Sequence, residues 1–430
     1  MKRFKNFTLL LFMSVIFASC ENDDDLNPVT DPILDNTEYD LEERSDSGVS
    51  GEATFSEQED GSVQLILELE GTSSGNSHPA HIHMNSAAEG GSIIVSLAPV
   101  EGDTGLSITT FSALDDGTPI SFEDIEGLDA YVNVHLSAND LGTIVAQGDI
   151  GVNELTGESK SYDLDERAVD GISGTVLFEE RISGEALATI SLDGTPDVGE
   201  HPAHIHMNSA AEGGDIIYTF TPVNGSTGIS RSHVGALDDG TDFVYADVLE
   251  VDGYVNVHLS ADDLGTIVAQ GDIGENELTG ESKSYDLDER AVDGISGSVL
   301  FEERVSGEAL ATISLNGTPD GGEHPAHIHM NTAVEGGDII YSFNPVDGIT
   351  GMSQSHVGAL DDGTGFGYAD VLDVDGYVNV HLSAADLGTI VAQGDIGQNE
   401  LTGEEKNYDL DERAVDGISG SVLFQERVNG

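Results

Sequence analysis

The sequence predicts an all-β protein built from three tandem antiparallel β-barrels or sandwiches. The first observation is a repeated unit, since the motif His-Pro-Ala-His-Ile-His occurs at 78–83, 201–206 and 324–329. The spacing is constant, because 201 − 78 and 324 − 201 both equal 123. The second observation is that short alternating apolar runs, punctuated by Gly, Asp and Pro, fill each unit without sustained helical periodicity. About seven or eight short strands per unit suggest a whole Greek-key domain and exclude a solenoid turn.

A second motif fixes how the units are divided along the chain. Tyr-Val-Asn-Val-His occurs at 131–135, 254–258 and 377–381, with the same spacing and no insertions. The predicted domains are therefore 39–161, 162–284 and 285–407. Residues 408–430 match only the first part of a unit and cannot form a core alone. They are a truncated repeat, a frayed tail or an edge strand added to a neighbour, and truncation is the favoured interpretation.

The N-terminus reads as an export signal. Three basic residues within the first five positions precede an apolar run at 7–17, which is too short to span a membrane. Small residues and the only cysteine, Cys20, then follow. Residues 1–19 are thus predicted to be a signal peptide. The ending Phe17-Ala18-Ser19-Cys20 resembles the bacterial lipobox, which implies a lipid on Cys20, and an ordinary signal peptide with a chance cysteine is the alternative.

An acidic segment follows the cysteine and is predicted to be a tether over residues 20–38. Its start, Glu21-Asn22-Asp23-Asp24-Asp25, resembles the export signal of surface lipoproteins in Bacteroidetes-type bacteria. The location implied is the cell envelope, lipid-anchored at the outer-membrane surface of a Gram-negative bacterium. A plain solvated linker explains the same residues.

The charge of the chain excludes two classes of partner. The 14 Lys and Arg residues against 81 Asp and Glu residues give a net charge of −67. Beyond residue 19 the balance is 11 − 81 = −70, because three cations precede that point. Nucleic acid and anionic lipid head groups both require a basic surface. The charge favours solubility and would attract divalent cations.

The strands of the second unit illustrate the predicted architecture. Residues 174–178 and 186–192 read as paired strands joined through Ser183-Gly184. Three further strands are predicted within 215–220, 253–258 and 266–270. Their short spacing is typical of an antiparallel barrel.

The histidines carry the candidate chemistry, and all 14 lie within the units. Two imidazoles two residues apart on a strand face the same side, and Tyr131, Asn133 and His135 share one face of a second strand. If the two strands are neighbours, three imidazoles converge, a ligand set that suits Cu(II) or Zn(II) and not Mg or Ca. The predicted metal ligands are His81, His83 and His135; His204, His206 and His258; and His327, His329 and His381.

Other histidines are candidates for supporting roles. His78 precedes His81 by three residues and is either a fourth ligand or a group that orients the ligands, as are His201 and His324 in the other units. His233 and His356 complete the set of supporting candidates. A half-exposed strand histidine bonded to backbone remains the plain alternative for every one of these residues.

Each unit resembles the CHRD domain, the module first noticed in chordin. The resemblance rests on Ala80-His81-Ile82-His83, on Tyr131-Val132-Asn133-Val134-His135 and on the following Gly142-Thr143-Ile144. It covers most of residues 39–407 and implies an immunoglobulin-like β-barrel whose function is not settled at family level.

A more distant resemblance is to Cu/Zn superoxide dismutases. The order His201-Pro202-Ala203-His204-Ile205-His206, the segment 257–265 and the segment 232–237 are similar to that family's ligand segments. The resemblance implies copper ligands at His204, His206 and His258, a structural His201, and a superoxide-dismutase-like barrel. The chain lacks a bridging histidine, and Ala236 stands at the zinc aspartate. These departures, with the acidic charge, argue against fast dismutation.

The turn Leu-Asp-Asp-Gly-Thr at 114–118, 237–241 and 360–364 offers oxygen ligands, yet it lacks a full calcium motif, so a plain turn is favoured.

No catalytic residue is predicted. The favoured function is a surface-tethered, non-enzymatic binding or structural lipoprotein, and copper or zinc binding through the three-histidine sites is a further hypothesis for its units. The alternative is a copper-dependent, superoxide dismutase-like enzyme of weak activity. Its protein or small-molecule partner is not identifiable from the sequence.

Overall fold

A computed structural model describes residues 35–196, 198–319 and 321–430. The predicted signal peptide, Cys20 and the predicted tether as far as residue 34 lie outside the described residues. Three curled antiparallel sheets account for most of the described chain. The predicted class of repeated all-β barrels or sandwiches is therefore confirmed.

The first sheet contains ten strands and is accompanied by one short helix. The strands are β1 (Asn36–Glu43), β2 (Ser50–Glu57), β3 (Val63–Glu70), β4 (Ser77–His78), β5 (Ala80–Met84), β6 (Ile93–Ser96), β7 (Val100–Glu101), β8 (Leu106–Phe111), β9 (Asp129–Ser137) and β10 (Asp140–Gly151), with α1 at Phe122–Ile125 before β9.

The second sheet repeats this pattern. Its elements are β11 (Leu155–Glu166), β12 (Ser173–Arg181), β13 (Ala186–Asp193), β14 (Glu200–His201), β15 (Ala203–Met207), β16 (Ile216–Thr219), β17 (Val223–Asn224), β18 (Ile229–Val234), α2 (Tyr245–Glu250), β19 (Asp252–Ser260) and β20 (Asp263–Gly274).

The third group of strands has the same order, with two short strands forming a separate pair. Its elements are β21 (Leu278–Glu289), β22 (Ser296–Arg304), β23 (Ala309–Asn316), β24 (Glu323–His324), β25 (Ala326–Met330), β26 (Ile339–Ser342), β27 (Val346–Asp347), β28 (Met352–Val357), α3 (Tyr368–Asp373), β29 (Asp375–Ser383) and β30 (Asp386–Gly397). A final hairpin consists of β31 (Leu401–Leu410) and β32 (Gly420–Arg427).

The first strand of each unit lies in the middle of its sheet. The order in unit one is β4-β7-β8-β3-β2-β1-β10-β9-β5-β6, and units two and three follow it. Strand β1 pairs with β2 along one part and with β10 at Glu42 and Glu43, so it links the two halves of the curled sheet. Strands that are distant in sequence thereby become neighbours, above all β5 and β9.

Alternating side chains build the core, because successive residues of a strand point to opposite faces. In β3, Val63, Leu65 and Leu67 are buried, whereas Glu68 and Glu70 are exposed. In unit two the predicted hairpin partners are confirmed, since Val176 lies opposite Ile190 across β12 and β13. A set of more than twenty buried residues forms a separate hydrophobic core in each unit.

The partial fourth repeat forms the β31–β32 hairpin as a separate two-stranded sheet. Tyr408 and Phe424 are 54% and 61% exposed, whereas the equivalent Tyr285 and Phe301 of unit three are 3% and 0% exposed. The hairpin pairs with no other strand of the described chain, and both rings lie on an uncovered face. Within the described ranges, no helix has the length and apolarity needed to cross a membrane.

Candidate metal centre

The pairing of β5 with β9 brings the predicted histidines together. His81 lies opposite Asn133 and His83 opposite Tyr131, so the side chains of all four residues share one face. The alternate residues Ile82, Val132 and Val134 are fully buried in the core. His135 lies one alternation beyond Asn133 on this histidine face of β9. Antiparallel register therefore places three imidazoles side by side, as the sequence pattern predicted.

The three imidazoles converge in every unit. One ligand nitrogen from each of His81, His83 and His135 lies within 4.8 Å of the others, and the same holds for the trios of His204, His206 and His258 and of His327, His329 and His381. In unit one, Nδ1 of His81 is 3.1 Å from Nε2 of His135. Two nitrogens bound to one tetrahedral Zn²⁺ lie about 3.4 Å apart, given bond lengths near 2 Å. Small ring movements therefore suffice to close the site around an ion.

Backbone carbonyls determine which nitrogens face the centre. Nδ1 of His83 donates to the Gly91 carbonyl at 2.9 Å, and Nδ1 of His135 donates to the Leu141 carbonyl at 2.7 Å. A proton on Nδ1 leaves the lone pair of Nε2 free, which is how metal-bound histidines are usually oriented. The ring of Tyr131 stacks on His83 at 4.9 Å between centroids, and its hydroxyl accepts a hydrogen bond from Gly91 N–H.

Burial favours the neutral, metal-binding form of these imidazoles. It lowers the pKa of His81, His204 and His327, and the neighbouring imidazoles lower it further. The effect is largest for His204, whose pKa falls to about 4. Burial also lowers the pKa of the third histidine of each trio, His135, His258 and His381. A neutral imidazole offers its lone pair to a metal ion without first releasing a proton.

The nitrogens that face the centre are poorly satisfied by protein groups. In unit two, Nδ1 of His204 and Nε2 of His258 are buried without a hydrogen-bond partner, and Nε2 of His206 has only a 3.5 Å contact with Asn256. Unit three shows the same pattern at His327 and His381. Buried polar atoms are normally paired, so several unpaired nitrogens aimed at one point fit the ligand set of a metal ion. Three imidazoles suit Cu(II) or Zn(II) and not the harder Mg²⁺ or Ca²⁺.

Comparison with known families identifies the first unit. Residues 36–147 match the family model of the CHRD domain. The first unit is thus similar to the CHRD domain. Units two and three share its strand order and its histidine positions at the 123-residue spacing. No curated protein matches the chain.

The first histidine of each His-Pro-Ala-His-Ile-His motif contacts the backbone beside the third ligand. Nδ1 of His78 lies 3.2 Å from the carbonyl oxygen of His135, and His201 and His324 make the same contact with His258 and His381. Each of the three is 2% exposed. They therefore contact the strand that carries the third ligand, and their ring nitrogens are not among those that converge.

His233 and His356 lie at junctions between units. Nδ1 of His233 is 3.6 Å from Glu89 of unit one, and its Nε2 is 3.7 Å from Glu185 of its own unit. His356 lies in the same way between Glu212 of unit two and Glu308 of unit three, at 3.5 Å from each. Each of these two histidines thus lies between one carboxylate of the preceding unit and one of its own unit.

A carboxylate beside the trio was missed by the sequence interpretation. This carboxylate belongs to the first Asp of the Leu-Asp-Asp-Gly-Thr turn, which is Asp238 in unit two. Asp238 accepts hydrogen bonds from the N–H and Oγ1 of Thr219, and Thr219 lies directly opposite the ligand His204 in the sheet. Its negative charge opposes the lowering of the His204 pKa. Asp115 and Asp361 occupy the equivalent positions in units one and three. The only hint in the sequence was that the Leu-Asp-Asp-Gly-Thr turn occurs in all three units.

The second Asp of the same turn has a structural role. Asp239 Oδ1 accepts the N–H of Thr241 at 2.8 Å, and Asp116 and Asp362 do the same with Thr118 and Thr364. In unit two, the first acid of the turn thus accepts hydrogen bonds from the strand beside the trio, and the second accepts one from within the turn. This arrangement fits the plain turn that the sequence favoured over a calcium loop. Asp262, within the segment 257–265 that is similar to a dismutase ligand segment, lies exposed in the turn between β19 and β20.

Proposed function

We propose that each unit binds one Cu(II) or Zn(II) ion through its three imidazoles, and that the chain sequesters or delivers these metals as a non-enzymatic protein. The observation that carries the proposal is the convergence of three ring nitrogens within 4.8 Å in all three units. The low pKa of His204 and the carbonyl anchors on His83 and His135 support it. The net charge of −67 raises the local concentration of divalent cations near the surface.

When bound, the ion would supply a redox or Lewis-acid centre to the unit. The residues of the chain prepare that centre in three ways. Gly91 and Leu141 hold the protons of two ligands on Nδ1, Tyr131 fixes the ring plane of His83, and Asp115 supplies a nearby negative charge. These contacts orient the ligands before an ion arrives, which lowers the cost of binding.

Metal analysis of the signal-free protein tests the proposal. After loading with Cu²⁺ or Zn²⁺ and desalting, about three ions per chain are expected, one for each trio. A chain in which His→Gln replaces all nine ligands should retain none. A matched control replaces the turn acids Asp116, Asp239 and Asp362 by Asn, because these acids do not face the trios, and it should retain three. No bound ion after exposure to excess metal at neutral pH would refute the proposal.

The same preparation tests the dismutase alternative. The acidic surface repels superoxide, so the copper-loaded chain is expected to consume superoxide no faster than buffer. Copper-dependent consumption that disappears in the nine-histidine variant would instead establish the enzyme.

We further propose that a lipid on Cys20 anchors the chain at the outer-membrane surface. The support is the sequence alone: the lone cysteine follows a signal-peptide pattern and precedes an acidic tether. In cells, Cys20→Ser should move the protein from the membrane fraction to the soluble fraction. Unchanged membrane recovery of that variant would show that the lipid anchor is wrong.

A further inference from the structure

We infer that Arg304 and His356 of unit three are positioning residues for the metal site of unit two, and that Arg181 and His233 act likewise on unit one. The inference rests on the proposed function, because it concerns the affinity of the same sites. It arises from one segment that contacts both a metal ligand and the following unit. This segment is named the ligand loop and comprises residues 85–91 in unit one, 208–214 in unit two and 331–337 in unit three.

The ligand loop holds the second metal ligand. In unit two, the Gly214 carbonyl accepts the Nδ1 proton of His206 at 2.9 Å. The Gly214 N–H donates to the hydroxyl of Tyr254, whose ring stacks on His206 at 4.9 Å between centroids and 18° between planes. The position of Gly214 therefore sets both the tautomer and the tilt of one ligand ring.

The other side of the ligand loop is held by unit three. Arg304 Nη1 donates to Asp272 Oδ2 at 2.8 Å, and Asp272 Oδ1 accepts the N–H of Ala210 in the loop at 2.8 Å. Arg304 also donates to the carbonyl of Asn276, whose side-chain amide donates to the Asn208 carbonyl at 3.2 Å. Two short chains of hydrogen bonds thus connect one arginine to two residues of the loop.

Two further contacts join unit three to the same loop. His356 Nδ1 lies 3.5 Å from Glu212 Oε2, and that carboxylate also accepts the N–H and Oγ of Ser209. Asn344 donates to the Ala211 carbonyl at 3.3 Å. Five of the seven loop residues, 208–212, are therefore linked to the following unit, directly or through one intervening residue.

Because Arg304 and Arg181 are buried, each needs its contact with a carboxylate. Arg304 and Arg181 are both 0% exposed, and their Nε and Nη2 atoms have no hydrogen-bond partner. A buried guanidinium with so few partners depends on its carboxylate, so Asp272 and Asp149 must be held close. Any shift of the ligand loop that moves these carboxylates is opposed by the following unit.

The first unit provides an internal comparison. At the positions of Arg181 and His233 it carries Gln58 and Thr110, since 181 − 123 = 58 and 233 − 123 = 110. No unit precedes it within the described chain, and so no ligand loop is available for these residues to contact. The arginine and the histidine are thus present where they face a preceding ligand loop.

The experiment uses full-length, signal-free chains that keep one trio, with the other six ligands replaced by Gln. Zn²⁺ affinity is measured by competition with a chelator. In the chain that keeps His204, His206 and His258, His356→Gln and the pair Arg304→Met with Asp272→Asn should each weaken binding about fivefold. In the chain that keeps His327, His329 and His381, the His356 and Arg304 changes should alter affinity by less than about twofold, although they lie in that unit.

A matched control comes from the other junction. His233→Gln should weaken the site of unit one and leave the site of unit two unchanged. Cu(II) spectra provide a second readout, because a tilted His206 ring changes the hyperfine splitting of unit two only. Equal losses in units two and three, or no loss in unit two, would overturn the inference while leaving the proposed function intact. Failure of the unsubstituted single-trio chains to bind Zn²⁺ would overturn both.

Discussion

Acid should destabilise the metal-free protein, and His204 should account for a measurable share of the loss. This imidazole is only 8% exposed, and its pKa is lowered from 6.5 to about 4 by burial and by the neighbouring His258 and His206. Between these two pH values the unfolded chain binds a proton that the folded chain does not. The free energy of unfolding therefore has its full value above about pH 6.5 and decreases as the pH falls towards 4.

The size of the effect follows from the shift. About 2.5 pKa units correspond to at most about 3–4 kcal/mol, because each unit is worth about 1.4 kcal/mol. For a domain of this size, such a loss lowers the melting temperature by about 10 °C. Calorimetry of the metal-free chain at pH 7.5, 5.5 and 4 measures this loss. His204→Gln should remove that part of the pH dependence, whereas the exposed replacement Asp262→Asn should leave it in place. An unchanged pH dependence in the His204 variant would refute the reasoning.

Three further predictions address the core, the sheet and the site. Phe178→Ala should cost unit two about 3–5 kcal/mol in chemical denaturation, because the ring is fully buried between Tyr162 and Phe220. Gly271→Ala should lower the melting temperature, because an added Cβ would lie 1.9 Å from the Asp163 carbonyl oxygen. The control Gly365→Ala should be tolerated, because its Cβ would meet no atom within 4 Å. Equal changes in melting temperature for the two variants would contradict this explanation. Tyr254→Phe should weaken Zn²⁺ binding at unit two about fivefold in chelator competition, because Gly214 loses its hydrogen-bond acceptor, and unit three serves as the unchanged reference.

Much of the fold could be predicted from local pattern and repetition. Two-residue alternation placed His81 and His83 on one face of β5, and Val132 and Val134 on the core face of β9. The repeat showed that one architecture occurs three times. The short helices α1 to α3 were not predicted, because four to six residues do not generate a recognisable helical period.

The contacts around the site could not be predicted in the same way. Asp238 reaches the strand opposite His204 from a turn that looked like any other Asp-Gly turn. His233 resembled a zinc ligand by its sequence context, yet its described neighbours are the carboxylates Glu89 and Glu185. In both cases the decisive partner lies far away in the sequence, and nothing in the local pattern identifies it.

The sequence by itself determined the repeat, the β class, the acidic surface and the residue types of the candidate metal site, because each depends on composition and short-range periodicity. The tertiary structure decided which nitrogen of each histidine faces the centre, because carbonyls of Gly91 and Leu141 hold the opposite nitrogen. It also decided that Arg304 reaches the ligand loop of the preceding unit through Asp272, and that His356 lies beside Glu212 of that loop. Strand register and unit junctions arise from long-range pairing, and a side chain's partners across such a pairing are set only when the whole sheet has formed.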